Sequence, residues 1–188
     1  MFKKNDEIEV NIIDYGTDGE GVAKADNFTI FVSGGIKGEK CKIIITKILK
    51  NYGYGKIIEI IEKSNKRAEI DCKTYPRCGG CSLRHIEYQE TLNIKKEKVQ
   101  NLINKNVNES LKVNDCIGME NPFYYRNKAI FPISTEKGVP GIYAKRSHIV
   151  IPFEECKIQT KISQEIARFI CENWKSTIYN ENKNTRCP

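Results

Sequence analysis

Glu7-Ile8-Glu9-Val10-Asn11-Ile12 alternates polar and β-branched apolar residues at a two-residue period. That period places Ile8, Val10 and Ile12 on one side of an extended chain, the pattern of a half-buried strand. The residues that follow repeat the theme in short lengths. Gly16-Thr17-Asp18-Gly19-Glu20-Gly21 reads as a turn, Phe28–Val32 as a second, β-branched and aromatic strand, and Gly34-Gly35 with Gly38 as another break. Lys42–Thr46 makes a third strand, and Gly53-Tyr54-Gly55 precedes a fourth at Lys56–Ile61. Short strands closed by glycine turns at this spacing predict a small OB-like barrel over residues 1–66. The glycines at 16–21 are not read as a phosphate loop. They lead into another strand, whereas such a loop opens a helix whose first N–H groups hold the phosphate.

Barrels of this kind hold single-stranded nucleic acid in a basic groove floored by aromatic side chains. Tyr52 and Tyr54 stand among Lys47, Lys50 and Lys56, and these five are candidate RNA contacts. The charge distribution agrees with that reading. The net charge is +7, yet residues 1–36 carry three basic and seven acidic side chains, while residues 37–67 carry nine basic against three acidic. A basic block suits a phosphate-binding face, because each neutralised phosphate releases condensed counterions. The same lysines would also serve as an ordinary solvated surface.

Past the barrel, Tyr88, Leu92, Val99, Leu102 and Ile103 recur near the helical period and predict one buried helix face over about 86–105. Lys95, Lys96, Lys98 and Lys105 fall elsewhere on that helix as a solvated face. Residues 123–133 and 139–153 return to strand composition around Gly138 and Pro140-Gly141. A last amphipathic helix is expected over about 161–175, with Ile162, Ile166, Phe169, Ile170 and Trp174 on one face. The fold class expected is therefore mainly β with α: an OB-like barrel, a cysteine-rich loop, and an α+β domain completing residues 67–188.

With 39% hydrophobic and 29% charged residues over 188 positions, the chain reads as globular. Its first residues, Met-Phe-Lys-Lys-Asn-Asp-Glu, meet charge at once, and its longest apolar runs are too short to span a bilayer. A cytoplasmic protein with no membrane partner is expected. Thiols stay reduced there, so the eight cysteines do not predict a disulfide framework. Cys41, Cys116 and Cys171 read as small buried hydrophobes, and Cys187 as a tail thiol with no assigned role.

The other four differ. Cys72-x5-Cys78-Gly79-Gly80-Cys81 brings three thiols together, and Cys156 can join them by folding back. Glycines at both positions between Cys78 and Cys81 let the backbone approach a metal centre, where N–H groups aimed at sulfur tune its potential. Both [4Fe–4S] and Zn²⁺ accept four cysteines. A structural zinc site more often pairs two short knuckles, so three clustered ligands and one remote ligand lean toward iron–sulfur while leaving zinc open.

The run Cys72-x5-Cys78-Gly79-Gly80-Cys81-Ser82-Leu83-Arg84-His85, followed by Tyr88-Gln89 and a lysine-rich helix, resembles the signature of the bacterial 23S ribosomal RNA (uracil-5-)-methyltransferases. Asp18–Ala23 and Phe31-Val32 through Gly38-Glu39 are similar to that family's N-terminal TRAM domain. Tyr125-Arg126-Asn127-Lys128 resembles the opening of its central domain, and Gly141-Ile142-Tyr143, Ser147-His148 and Cys156–Gln159 resemble the segment delivering a fourth ligand. The resemblance covers roughly residues 5–180. It implies a [4Fe–4S] cluster on Cys72, Cys78, Cys81 and Cys156, RNA contacts from the barrel and from Arg126 and Lys128, and 23S ribosomal RNA as partner; a monomer is expected. His85 and His148 are read as structural.

In that family a C-terminal Rossmann-like domain binds S-adenosylmethionine and transfers its methyl group to uracil C5, after a cysteine thiolate has added to C6. Residues 1–188 offer no glycine-rich strand-to-helix loop, so no catalytic or S-adenosylmethionine-binding residue is assigned. The chain is expected to be the N-terminal portion of such an enzyme, inactive alone. The alternative is a stand-alone TRAM and iron–sulfur module that binds RNA without modifying it. Radical methylthiotransferases also join a TRAM domain to a cluster, but their Cys-x3-Cys-x2-Cys loop and C-terminal TRAM domain do not match.

Overall fold

The computed structural model describes residues 2–75, 77–108, 110–134 and 138–173. Five strands, β1 (Glu7–Tyr15), β2 (Gly21–Ala25), β3 (Phe28–Ser33), β4 (Lys40–Ile48) and β5 (Tyr52–Glu62), close into a barrel in the order β1-β2-β3-β5-β4. β3 and β5 run parallel and the other neighbours antiparallel. The alternation seen in the sequence has a direct cause. Val10, Ile12, Ala23, Ile30, Val32, Cys41, Ile43 and Ile45 all point inward and form one buried cluster. Cys41 belongs to that core as expected, and burial, followed by the nearby Glu39 charge, pushes its thiol up to about 11.

Two details differ from the sequence reading. Gly21–Ala25 is a strand of its own, paired to β1 and β3. Gly53 and Gly55 do not form a turn but lie inside β5, facing the interior. A Cβ at Gly53 would stand 3.1 Å from the Lys47 carbonyl oxygen and from the Phe28 ring, and one at Gly55 would stand 2.8 Å from Ile43 Cδ1. These glycines serve the small barrel's lack of interior room.

Glu39 closes the seam between the β3–β4 connection and the chain leaving β5. Its carboxylate is buried at 1% exposure and accepts from Arg67 Nε at 2.7 Å and Nη2 at 2.7 Å, and from the backbone N–H groups of Ile36 and Ser64. Arg67 also donates to the Gly34 carbonyl oxygen at 2.7 Å. Burial alone would raise the Glu39 pKa, but the Arg67 guanidinium and the two N–H groups outweigh it and hold the carboxyl below its usual range.

The chain divides into two compact units, one comprising Met1–Glu69 with Ser82–Gly118 and the other Ile70–Cys81 with the residues from Met119 onward. In the first, Ala68 N–H donates to His85 O and Glu87 N–H to Lys66 O, tying the segment before α1 (Tyr88–Asn106) to the barrel's exit. Leu83 packs against Gly19, whose φ of +86° would strain any other residue and where a Cβ would force the Leu83 side chain to move. Lys98 donates to Thr17 O, and Lys96 pairs with Asp115 at 2.7 Å. Buried residues on α1 are Thr91 and Leu92. Val99 and Leu102, expected on the buried face, are 47% and 55% exposed, and the later turns of α1 meet their unit through polar contacts such as Lys98 to Thr17 O and Val113 N–H to Gln100.

In the second unit the strand composition of 123–133 and 139–153 yields only a two-stranded sheet, β6 (Gly141–Tyr143) with β7 (Val150–Pro152). Residues 124–126 instead run beside 157–160 through Tyr124 N–H to Lys157 O and Arg126 N–H to Ile158 O. Helix α2 (Lys161–Asn173) buries Gln164, with Ala167 and Cys171 half-buried. Ile162 and Phe169 are 63% and 65% exposed, and Ile166, 52% exposed, borders a cavity lined also by Phe131 and Ile133. Cys116 and Cys171, expected to be buried, are half-buried. Trp174 and Cys187 lie outside the described residues. Among the described residues, no helix is long and apolar enough to cross a membrane.

Candidate functional site

The outer face of the barrel follows from strand register. β3 and β5 pair Thr29 with Tyr52, Phe31 with Tyr54 and Ser33 with Lys56. Inward residues alternate with outward ones, so Phe31, Tyr52, Tyr54 and Lys56 share one surface. The three rings touch: centroids lie 5.6 Å apart for Phe31 and Tyr52, 5.7 Å for Tyr52 and Tyr54, and 5.8 Å for Phe31 and Tyr54. Lys47 on β4 is in register with Tyr54, and Lys50 lies in the turn before β5.

The ion pairs sort the basic block. Lys40 pairs with Glu9 at 3.0 Å, Lys42 with Glu7 at 2.8 Å and Lys37 with Glu97 at 3.7 Å, while Arg67 is committed to Glu39. Among the described residues, Lys47, Lys50 and Lys56 are exposed and enter no ion pair. Four of the nine basic residues of this block are therefore neutralised internally, and Lys47, Lys50 and Lys56 keep their charge for a partner, as do the exposed Lys63 and Lys66 that follow β5. Arg126 and Lys128 are exposed in the other unit.

All four candidate ligands, Cys72, Cys78, Cys81 and Cys156, fall in the second unit. The Cys72–Cys81 loop lies along β6: Gly79 N–H donates to Tyr143 O at 2.9 Å, and Cys78 bridges to Ala144. A Cβ on Gly79 would meet the Tyr143 carbonyl oxygen at 2.9 Å, which explains one glycine of the Cys-Gly-Gly-Cys run. The other acts through its backbone, since Gly80 N–H donates to Cys78 Sγ at 3.3 Å. Burial pushes the Cys78 thiol up, the Gly80 N–H opposes it, and the Cys156 and Cys72 thiols push it further. Cys78 is thus within electrostatic reach of both Cys72 and Cys156. Among the described residues, no group of three or more His, Cys, Asp or Glu side chains is arranged to hold a metal ion.

Cys156 is held by a residue that sequence reasoning missed. Gln164, 3% exposed in the first turn of α2, accepts from Cys156 N–H at 2.8 Å and donates to the carbonyl oxygens of Cys156 and Gln159, each at 2.9 Å. Its only sequence signal is a polar residue opposite the apolar stripe of α2. On either side of Cys156, Glu155 and Lys157 pair at 3.1 Å, and Tyr124 donates its hydroxyl to Glu155. Of the two histidines read as structural, His85 is buried and His148 packs edge-on to Tyr143.

Comparison with known proteins fits this geometry. The TRAM domain family matches residues 2–58. An uncharacterized RNA methyltransferase of Clostridium tetani is 41% identical over 186 residues, covering 96% of this chain and 40% of that protein. One of Clostridium acetobutylicum is 44% identical over 173 residues, covering 89% and 38%. The chain thus spans about two fifths of the length of these relatives. Among solved structures, a Pyrococcus abyssi tRNA (uracil-54, C5)-methyltransferase in complex with S-adenosyl-L-homocysteine shares the fold with a TM-score of 0.58, at 22% identity over 87% of this chain and 36% of that one. Residues 2–58 therefore match the TRAM domain family, and nearly the whole chain is similar to a part of proteins named as RNA methyltransferases.

Proposed function

We propose that this chain is the RNA-holding and [4Fe–4S]-holding part of an S-adenosylmethionine-dependent RNA (uracil-C5) methyltransferase that acts on 23S ribosomal RNA, as a monomer in the cytoplasm. Residues 1–66 hold the RNA and residues 67–188 hold the cluster. The observation that carries the reading is the outer barrel face, where three touching aromatic rings stand beside Lys47, Lys50 and Lys56. Aromatic faces stack bases of any sequence, and lysines left without an internal partner bind phosphates. Arg126 and Lys128 add RNA contacts from the second unit. S-adenosylmethionine binding and methyl transfer belong to the portion of the relatives' length that this chain does not span.

The donor set suits an iron–sulfur cluster. Cys72, Cys78, Cys81 and Cys156 lie in one unit, a backbone N–H already points at one sulfur, and the Cys78 thiol feels two of its fellows. These four cysteines would hold the cluster, and when bound it supplies a cross-link between the loop at 72–81 and the segment at 156. Gly79 and Gly80 admit the backbone close to it, and Gln164 fixes the remote ligand.

Replacing Lys47, Lys50 and Lys56 together by Glu tests the RNA face. Binding to single-stranded RNA should weaken, and the slope of log affinity against log salt should shrink by about three, roughly one for each phosphate that is no longer neutralised. An unchanged affinity and slope would remove the barrel face from the reading.

A further inference from the structure

The β1–β2 turn lies beside the aromatic face and borders an open cleft of about 370 Å³, within the size range of small-molecule sites. Phe31, Tyr52 and Tyr54 form its apolar wall, and Asp18, Glu20 and Asn51 also line it. Glu20 sits close to the wall. A Cβ built on Gly16 would stand 3.0 Å from Glu20 Oε2 and 3.3 Å from Phe31 Cδ1, so this glycine leaves open the space that the carboxylate and the ring flank.

A purely phosphate-binding groove has no use for two carboxylates. Ionised Asp and Glu only accept hydrogen bonds, and they repel phosphate. They suit the donor edge of a base whose flat face lies on the rings, while the phosphates run toward Lys47 and Lys56 on the same outer surface. Among the four bases, guanine alone offers two adjacent donors on its Watson–Crick edge, N1–H and the N2 amino group. Adenine and cytosine place a ring nitrogen acceptor beside their amino group, and uracil flanks its one N–H with two carbonyls. We propose that this cleft takes one unstacked guanine of the RNA, stacked on the Phe31, Tyr52 and Tyr54 wall and read by Glu20 and Asp18. The inference rests on the RNA reading above and adds base choice to it.

The test uses the 188-residue chain, kept anaerobic, and labelled uridine runs carrying one central guanosine, inosine, adenosine or cytidine, with binding followed by fluorescence anisotropy at fixed salt. The guanosine strand should bind roughly fivefold or more tighter than the adenosine and cytidine strands, the lower range for one bidentate base contact. Inosine, which lacks the N2 amino group, should fall between. Asp18→Asn with Glu20→Gln should abolish the ranking while general affinity for uridine runs rises, because two negative charges leave the RNA face. Equal affinities in the parent protein, or a guanosine preference that survives the double substitution, would overturn the proposal and leave the RNA reading standing. If the parent binds none of the strands, the RNA reading fails first and this one with it.

Discussion

The barrel buries eight apolar side chains in one cluster, whereas the unit carrying the four cysteines buries only Ile151, Cys156 and Ile158 among its described hydrophobic residues. Each fully buried aliphatic side chain contributes about 1.5–3 kcal/mol, so the barrel can stand on its interior and the cysteine unit cannot do so to the same degree. The second unit relies on directional ties: the Gly79 N–H to Tyr143, the strand-like pairing of 124–126 with 157–160, and Gln164 on Cys156. Small cores usually need a staple such as a disulfide or a metal. The comparison therefore predicts that the two units fail under different insults.

The largest difference should come from the thiols. In anaerobically purified protein, Cys81→Ser should remove a broad absorption near ~400 nm that an iron–sulfur centre gives. Residues 119–173 should then become protease-sensitive while the barrel keeps its protection. Stoichiometric zinc in the parent protein would sink the cluster reading, and equal protection of the second unit in the variant would show that the unit needs no staple.

The barrel's weak point is electrostatic. Arg67→Ala leaves the buried Glu39 carboxylate without its guanidinium and should cost about 3–5 kcal/mol at neutral pH. The pH dependence sharpens the test. In the parent, the lowered Glu39 pKa contributes stability that is present above the unfolded-state value and lost as pH falls through the folded one. In the variant, burial dominates and raises the folded pKa, so the sign reverses and the Glu39 contribution is lost as pH rises. The stability gap between parent and variant, read by denaturant unfolding, should widen between about pH 4 and pH 7. A gap constant with pH would mean that Glu39 is not the group Arg67 serves.

The same contrast explains what could be read from sequence. Val10 and Ile12, Ile30 and Val32, and Cys41, Ile43 and Ile45 announce their strands because an inward position must be apolar every second residue. Gly53 and Gly55 mislead for a physical reason: glycine signals a turn, but it also serves where an interior has no room for a Cβ. The aromatic wall is half legible, since Tyr52 and Tyr54 stand next to lysines while Phe31 joins them only through the parallel β3–β5 register. Glu39 and Arg67 are illegible as a pair because 28 residues separate them and neither carries a periodic signal. Helix α2 is legible as a helix but not in its facing. Its apolar stripe suggests a buried Ile162 and Phe169, and among the described residues it is the Gln164 side that turns inward, with Ile166 at its edge.

That inversion supplies the smallest and most local test. Gln164 commits both ends of its amide to the Cys156 backbone, accepting its N–H and donating to its carbonyl oxygen. Gln164→Leu keeps the approximate volume but leaves those backbone groups buried without partners, at a cost of about 1–3 kcal/mol. The loss should fall on the second unit alone. Hydrogen exchange at Cys156 and at the first turn of α2 should accelerate, while the Ile43 and Ile45 amides of the barrel keep their parent rates. If both units loosen together, the cysteine unit is not energetically separate from the barrel. If neither does, α2 is held by contacts other than Gln164, and the cavity that Ile166 and Ile170 share with Phe131 and Ile133 becomes the first place to look for them.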